Sequence, residues 1–138
     1  MADALRVATD AIVSQINWQD APNLIVNYGA ADNEDKATLT SCLCGIAETG
    51  TLVLLSSPTS PTLLNFLPEV HIVLLSTQHI VAAYEDAWDL VRQQDALPRT
   101  VNFITGPSRT ADIEQKMLMG IHGPKKLHII LYEKGNAL

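Results

Sequence analysis

Residues 104–124 read ITGPSRTADIEQKMLMGIHGP, and this stretch organises the predicted fold. The apolar run Val101–Ile104 leads into it and predicts a buried strand. Gly106 and Pro107 then predict a tight turn, because glycine tolerates unusual backbone angles and proline fixes φ. The stretch therefore begins as a strand that ends in a polar loop.

A helix is expected to follow this loop, with Ser108 or Thr110 as its cap. Three apolar residues spaced four apart share one face of it: Ile113, Met117 and Ile121. The next strand is predicted at Leu127–Leu131. Polar residues at the start of such a helix are the usual location of a site in an open parallel sheet.

Composition restricts the class of protein. The chain has 138 residues, of which 47% are hydrophobic and 17% charged, and this excludes a disordered chain. A net charge of −6 and the absence of a basic run argue against nucleic acid or an anionic membrane as a partner. We expect a cytoplasmic protein without a membrane segment and one domain, residues 1–138.

The rest of the chain alternates between predicted strands and helices. Further strands are expected at Leu24–Tyr28, Leu52–Leu55 and Val70–Leu75. Helices are expected at Ala2–Ile16 and Thr77–Gln94, with one or two helical turns at Thr62–Leu67. The segment Ala37–Cys44 is compatible with helix or strand. Such alternation predicts an α/β fold with a mostly parallel open sheet and flanking helices.

The two cysteines, Cys42 and Cys44, are one residue apart. Neighbouring strand residues point to opposite faces, so a disulfide between them is unfavourable. Two thiols also cannot provide the four ligands of an iron–sulfur cluster or a structural zinc site. We expect reduced, partly buried cysteines and no cofactor or metal held by this chain.

A second polar block is GIAETGT, residues 45–51. Gly50 permits a sharp turn, while Glu48, Thr49 and Thr51 provide a carboxylate and two hydroxyl groups. The block is also compatible with an ordinary turn before a strand, in which Glu48 is solvated. Glu48 is one candidate catalytic residue, together with Glu114 and His122.

Arg109 stands between two hydroxyl residues, Ser108 and Thr110, where a helix is predicted to begin. This arrangement could bind a carboxylate or phosphate with help from free backbone N–H groups. Asp112 and Glu114 lie in the same first turn and equally suit simple capping of the helix. We predict that Arg109 faces a cleft shared with the GIAETGT block.

The histidines show no metal-binding spacing. His122 lies between Gly120 and Gly123, where it could act as a base, contact a ligand or bond to loop carbonyls. His71 and His128 lie in apolar runs and are expected to be core or sheet-edge residues. No nucleotide-binding or serine-hydrolase motif is present.

Three blocks together resemble the LUD-domain family, and within it the lactate-utilisation protein C group. They are IAETGTLVL at 46–54, VHIVL at 70–74, and the elements TGPSRTADIE and GIHGP within 104–124. Their order agrees from about Gly45 to Tyr132. The resemblance implies a fold like that of NagB, RpiA and CoA transferases.

The same resemblance implies a role in oxidising L-lactate to pyruvate, with two iron–sulfur partner proteins. The chain would be a non-redox subunit or accessory protein of that system. The alternative is a stand-alone enzyme or sensor that binds a small carboxylate, phosphate or CoA-linked metabolite. A small anionic metabolite is the expected ligand, and the sequence leaves a homodimer open.

Besides the candidate catalytic residues Glu48, Glu114 and His122, the positions that match the family's motifs are the candidate ligand-binding residues. They are Thr49, Gly50, Thr51, Gly106, Ser108, Arg109, Thr110, Asp112 and Gly123. Typical members of the family have a longer region before the AETGT motif. We therefore expect the first subdomain here to be shorter than usual.

Overall fold

The computed structural model describes residues 3–32, 34–107 and 123–133. Its strands, in chain order, are β1 (Asp3–Val7), β2 (Leu24–Tyr28), β3 (Ala37–Ser41), β4 (Cys44–Ile46), β5 (Thr51–Leu55), β6 (Val70–Ser76), β7 (Ile80–Val81), β8 (Val101–Ile104) and β9 (Lys126–Tyr132). Its α-helices are α1 (Leu63–Phe66) and α2 (Tyr84–Arg92). Three short 3-10 turns lie at Val13–Gln15, Trp18–Asp20 and Thr77–His79.

Five strands form a parallel sheet in the order β2-β1-β3-β6-β9. The predicted α/β class with a mostly parallel sheet is therefore confirmed. The central strand residues Val7, Leu39 and Val73 are buried, as expected for a parallel sheet covered on both faces.

A second, four-stranded sheet has the order β7-β4-β5-β8 and was not predicted from the sequence. The chain passes into it directly from β3, since only Cys42 and Leu43 separate β3 from β4. In this sheet β5 is antiparallel to both β4 and β8. Leucines 52, 54 and 75 pack with Val73 into a core shared by the two sheets.

Helix α2 covers the second sheet. Ala87 and Val91 on the helix are buried against Cys44, Ile46 and Val53. On the parallel sheet a separate cluster contains Leu5, Val7, Ala8, Val13, Leu39, Leu64 and Leu74. Each sheet thus has its own apolar layer, and both are joined through the shared core.

The predicted helix at Ala2–Ile16 is wrong. Residues Asp3–Val7 form β1, which pairs with both β2 and β3. The Asp10 carboxylate then accepts a hydrogen bond of 2.9 Å from the Val13 N–H and opens the short 3-10 turn. Strand pairing on both sides of β1 outweighs the helical spacing of its apolar residues.

The helix predicted at Thr77–Gln94 is shorter in the structure, because α2 begins only at Tyr84. The Ser76 hydroxyl accepts from the Gln78 N–H at 3.3 Å and stabilises a 3-10 turn, after which β7 joins the second sheet. Asp86 accepts from the Ala83 N–H at 3.0 Å, which marks the start of α2.

The other predictions agree with the described elements. Strands occur at Leu24–Tyr28, within Thr51–Leu55, and at Val70–Ser76, and a single helical turn occurs at Leu63–Phe66. The ambiguous segment Ala37–Cys44 is mainly the strand β3. Strand β8 also occurs as predicted, but it lies in the second sheet rather than the parallel one. The helix predicted after it lies outside the described residues.

Candidate functional site

Four hydroxyl groups meet at the end of the second sheet where β5 begins and β8 ends. Because β5 and β8 are antiparallel, Thr51 at the start of β5 lies beside Thr105, which follows β8. The Oγ1 atoms of these two residues are 2.7 Å apart, and the Thr49 Oγ1 lies 2.7 Å from the Thr51 Oγ1. With the Tyr84 phenol, 3.3 Å from the Thr51 Oγ1, these groups form what we call the hydroxyl cluster.

Tyr84 and Thr105 are the members of this cluster that the candidate residues did not include, and of these two only Thr105 lies in a family motif, TGPSRTADIE. The spacing of Tyr84, Trp88 and Val91 places them on one side of the helix predicted at Thr77–Gln94 and indicates no site. The Tyr84 phenol instead contacts the hydroxyl cluster, and hydrogen bonds from Thr51 and Thr49 lower its pKa below the ordinary value. Its ring lies 5.6 Å from that of Phe103, which is 5.3 Å from Trp88. A half-buried tyrosine needs a partner for its hydroxyl, and that need is the signal that could have identified it.

Three predicted glycines have the backbone conformation that favours glycine. The φ angles are +68° at Gly50, +97° at Gly106 and +79° at Gly123. Gly50 closes the β4–β5 hairpin, where its N–H donates to the Ile46 carbonyl at 2.9 Å. The sharp turn expected at Gly50 agrees with its positive φ.

Glu48 lies in the same hairpin turn, and its side chain is exposed. Its backbone N–H donates to the Ala82 carbonyl at 3.1 Å, which ties the turn to the segment before α2. The structure thus brings Glu48, Thr49, Gly50 and Thr51 close to Thr105, and the chain continues from there to Gly106.

The remaining predicted site residues lie outside the described part of the chain. They are Ser108, Arg109, Thr110, Asp112, Glu114 and His122. The roles proposed for these residues, including anion binding by Arg109, stay predictions.

His71 is a core residue, as the sequence predicted. Its side chain is fully buried, and its Nε2 atom lies 2.9 Å from the Thr40 Oγ1. No protein partner for its Nδ1 atom is found among the described residues. Burial lowers the pKa of His71 to about 4, so the ring is neutral at pH 7. His128 is exposed on the edge strand β9, which agrees with the sheet-edge interpretation.

The two cysteines are free thiols, as predicted. Cys44 is buried, and the Cys42 Sγ contacts the Leu74 carbonyl oxygen at 3.5 Å. Burial, with a smaller contribution from Cys44, raises the pKa of Cys42 to about 12. Neither thiol is therefore an activated nucleophile.

A separate cleft of about 840 Å³ opens where β1 and β3 end. The sequence did not predict it, because the local pattern of residues 56–61, SSPTSP, marks no binding site. Polar side chains of this cleft include Asp10, Ser41, Ser57, Ser60, Thr62 and Arg99. The Ser41 hydroxyl donates to the Asp10 Oδ2 at 2.7 Å. The carboxyl ends of parallel strands are the usual location of ligand sites in such sheets.

Two features are absent from the described residues. No group of three or more His, Cys, Asp or Glu side chains there is arranged to hold a metal ion. Within the same residues, no helix has both the length and the apolar character required to cross a membrane.

Comparison with solved structures relates the fold to a DUF162 family protein from Deinococcus radiodurans. The TM-score is 0.58 at 21% identity, and the match covers 94% of this chain and 87% of that protein. At this identity the likeness concerns the fold alone.

Sequence comparison finds relatives in several bacteria. An uncharacterized protein of Neisseria meningitidis is 41% identical over 88 residues, which is 63% of this chain and 38% of that protein. Lactate utilization protein C of Bacillus subtilis is 40% identical over 90 residues, and that of Anoxybacillus flavithermus 38% over 86 residues. Each match covers 62% of this chain, and this chain spans 38% and 39% of those two proteins.

The family-level match extends beyond these local alignments. The profile of the LUD domain matches residues 14–132, which include the hydroxyl cluster and most of the cleft. Because this match covers most of the 138 residues, the chain belongs to the LUD-domain family.

Proposed function

We propose that this protein is a non-redox component of a lactate utilisation system. In this proposal it binds a small carboxylate at the hydroxyl cluster, and iron–sulfur partner proteins carry the electrons. Its membership of the LUD-domain family and its relatives named lactate utilization protein C support the assignment.

The observation that carries the proposal is the meeting of two signature blocks at one end of the second sheet. The AETGT block contributes Thr49 and Thr51, and the TGPSR block contributes Thr105. These blocks are more than fifty residues apart in the sequence, and the antiparallel pairing of β5 with β8 brings them within 2.7 Å. Hydroxyl groups concentrated in this way can donate to carboxylate oxygens.

Tyr84 provides the hydroxyl cluster with a phenolic hydrogen-bond donor. Hydrogen bonds from Thr51 and Thr49 make its phenol more acidic, and a more acidic phenol donates a stronger hydrogen bond to an anion. Glu48, whose charge opposes this shift, lies close enough to affect the same phenol. Arg109 follows Gly106 by three residues in the sequence and is the predicted cation of this site.

Electron transfer belongs to other proteins in this proposal. Removing two electrons from a 2-hydroxy acid requires an acceptor such as a flavin, a nicotinamide or an iron–sulfur relay. The two cysteines of these 138 residues are too few for a four-cysteine cluster. The contribution expected from this chain is binding, orientation or assembly.

Reconstitution tests this function. The purified chain is added to the two iron–sulfur proteins of a lactate-oxidising system, and lactate-dependent dye reduction is measured. We expect no activity from the chain alone and restored activity in the mixture. Replacement of Tyr84 by Phe should lower the restored rate, because it removes the phenolic donor.

Tyr28→Phe is the matched control, since Tyr28 is 58% exposed on the edge strand β2 and lies outside the hydroxyl cluster. Equal rates with both variants would contradict a role for the cluster. Dye reduction by the chain alone would contradict the non-redox assignment.

A further inference from the structure

The cleft lies at the opposite end of β5 from the hydroxyl cluster. Strand β5 begins at Thr51 in the cluster and ends at Leu55, which lines the cleft. Four residue steps of about 3.3 Å put the two ends of the strand roughly 13 Å apart. The cleft is therefore a second site, separate from the one proposed for lactate.

Hydrogen bonds at both ends hold the loop at residues 56–61, which forms one wall of the cleft. The Thr9 N–H donates to the Thr59 carbonyl at 2.8 Å, and this bond joins the loop to the chain after β1. At the other end, Ser56 exchanges bonds with Thr100, with its Oγ accepting from the Thr100 N–H at 2.9 Å. The cleft is thus a preformed surface between the two sheets.

Asp10 marks the end of the cleft beside β1. Its Oδ1 accepts from the Val13 N–H at 2.9 Å and its Oδ2 from the Ser41 hydroxyl at 2.7 Å, so the carboxylate is held in one orientation. A carboxylate only accepts hydrogen bonds and repels other anions. The part of a ligand that contacts Asp10 and Ser41 must therefore carry hydrogen-bond donors, such as hydroxyl groups, rather than negative charge.

Arg99 lies at the other end of the loop, next to Thr100. Among the described residues it has no ion pair or hydrogen bond, whereas Arg6 pairs with Asp35 and Arg92 with Asp89. Arg99 is exposed and is one of the residues that line the cleft. A free guanidinium fork in a protein of net charge −6 is suited to a phosphate or carboxylate group.

Apolar side chains complete the lining. Leu43, Leu55, Leu97 and Pro98 provide a surface on which a flat ring can pack. The volume of about 840 Å³ lies within the range of roughly 300–1,000 Å³ that holds ligands of drug size. A three-carbon acid would occupy only a small part of it.

We infer that this cleft binds a nucleoside phosphate. The phosphate contacts Arg99, the ribose hydroxyls contact Asp10 and Ser41, and the base packs on the leucines and Pro98. An aspartate that accepts from ribose hydroxyls at the carboxyl end of a parallel strand is a recurrent mode of nucleotide recognition. Each part of the ligand meets a side chain of complementary chemistry.

Titration calorimetry on the full chain tests this site with four probes: adenosine monophosphate, adenosine, ribose phosphate and inorganic phosphate. We expect adenosine monophosphate to bind more tightly than any of the other three. Arg99→Ala should weaken its binding about tenfold and leave adenosine binding unchanged, because only the phosphate contact is lost. Ser41→Ala should weaken both nucleoside ligands by roughly threefold.

Arg92→Ala is the matched control, since Arg92 is exposed and does not line the cleft. Arg99 is exposed as well, so its replacement leaves the core intact and the test does not depend on a folding defect. Equal effects of the two arginine variants would overturn the inference. Inorganic phosphate binding as tightly as adenosine monophosphate, or no nucleotide binding at about 10 mM, would also overturn it.

Discussion

The two ends of β5 hold their polar groups in different ways. At the Thr51 end, hydroxyl groups bond to one another, and Thr51 itself is 1% exposed. At the Leu55 end, Asp10 and Arg99 are spread around an open cleft, and Arg99 has no protein partner among the described residues. At the first end the buried Thr51 hydroxyl holds the more exposed Thr49 and Tyr84 hydroxyls in place, whereas at the second end charged side chains line the cleft directly.

The largest effect on stability is expected from a substitution in the core that both ends of β5 share. Leu54 is 2% exposed in the core shared by the two sheets. Leu54→Ala should lower the free energy of unfolding by about 2–5 kcal/mol, because it leaves a cavity between the sheets. Chemical denaturation measures this loss. Leu97→Ala is the control, since Leu97 is 78% exposed and its loss should change stability by less than about 0.5 kcal/mol.

Acid should affect the parallel sheet through His71. Its pKa is about 4 in the folded protein against an ordinary value of 6.5, so the unfolded chain takes up the proton first as pH falls. The stability present above pH 6.5 is therefore lost progressively between pH 6.5 and 4, by up to about 3 kcal/mol.

Unfolding free energies measured at pH 7 and pH 5 test this prediction. A His71→Gln variant should show a smaller pH dependence than the unmodified chain. The exposed His128→Gln variant should keep the full dependence. An equal pH dependence in all three proteins would exclude His71 as its source.

Thr51→Val should show how the two ends of β5 differ in their contribution to stability. It keeps the shape of a buried side chain and removes the hydroxyl that joins Thr49, Thr105 and Tyr84. We expect the free energy of unfolding to fall by about 1–2 kcal/mol and the pKa of Tyr84 to rise toward its ordinary value.

Ultraviolet titration of the tyrosines measures the shift, with Tyr84→Phe identifying the signal. Ser41→Ala at the cleft should lower the free energy of unfolding by less than Thr51→Val does, because Ser41 is only partly buried and water can replace its bond to Asp10. A larger loss in Ser41→Ala than in Thr51→Val would reverse our comparison of the two ends.

The smallest effect is expected at Gly50. Its φ of +68° disfavours a side chain although no atom lies within 4 Å of an added Cβ. Gly50→Ala should lower the free energy of unfolding by about 1 kcal/mol. It should also disturb the neighbouring Thr49 and Thr51, which the tyrosine titration would detect. Gly29→Ala, at φ +97° with similar free space, should cost about as much without changing Tyr84. Identical titration curves for both variants would show that the hairpin does not position the cluster.

Local sequence patterns predicted a strand or helix correctly where the pattern fitted only one of the two. The continuous apolar run at Val70–Leu75 could only be a buried strand, and it became β6. At Ala2–Ile16 the apolar residues fit helical spacing, yet Leu5 and Val7 also share a strand face. Pairing of β1 with two neighbours decided between these alternatives, and no local pattern contains that information.

Local sequence patterns were limited in the same way for the candidate sites. Thr49, Thr51 and the turn glycines were identified from the sequence, because hydroxyl residues next to glycine are recognisable locally. Tyr84 was not, since its role depends on the distance from its phenol to a strand more than thirty residues away. The cleft was also missed, because Asp10 and Arg99 lie nearly ninety residues apart in the sequence.

The sequence by itself determined the α/β class, most strands, the turns at Gly50 and Gly106, and the resemblance to the LUD-domain family. Only the tertiary structure decided that β8 leaves the parallel sheet and pairs with β5 in a second one. That pairing brings the two signature blocks together and opens the cleft at the other end of the strand. The physical reason is that side-chain periodicity reports which face of a segment is buried, whereas the choice of neighbouring strand depends on packing among distant residues.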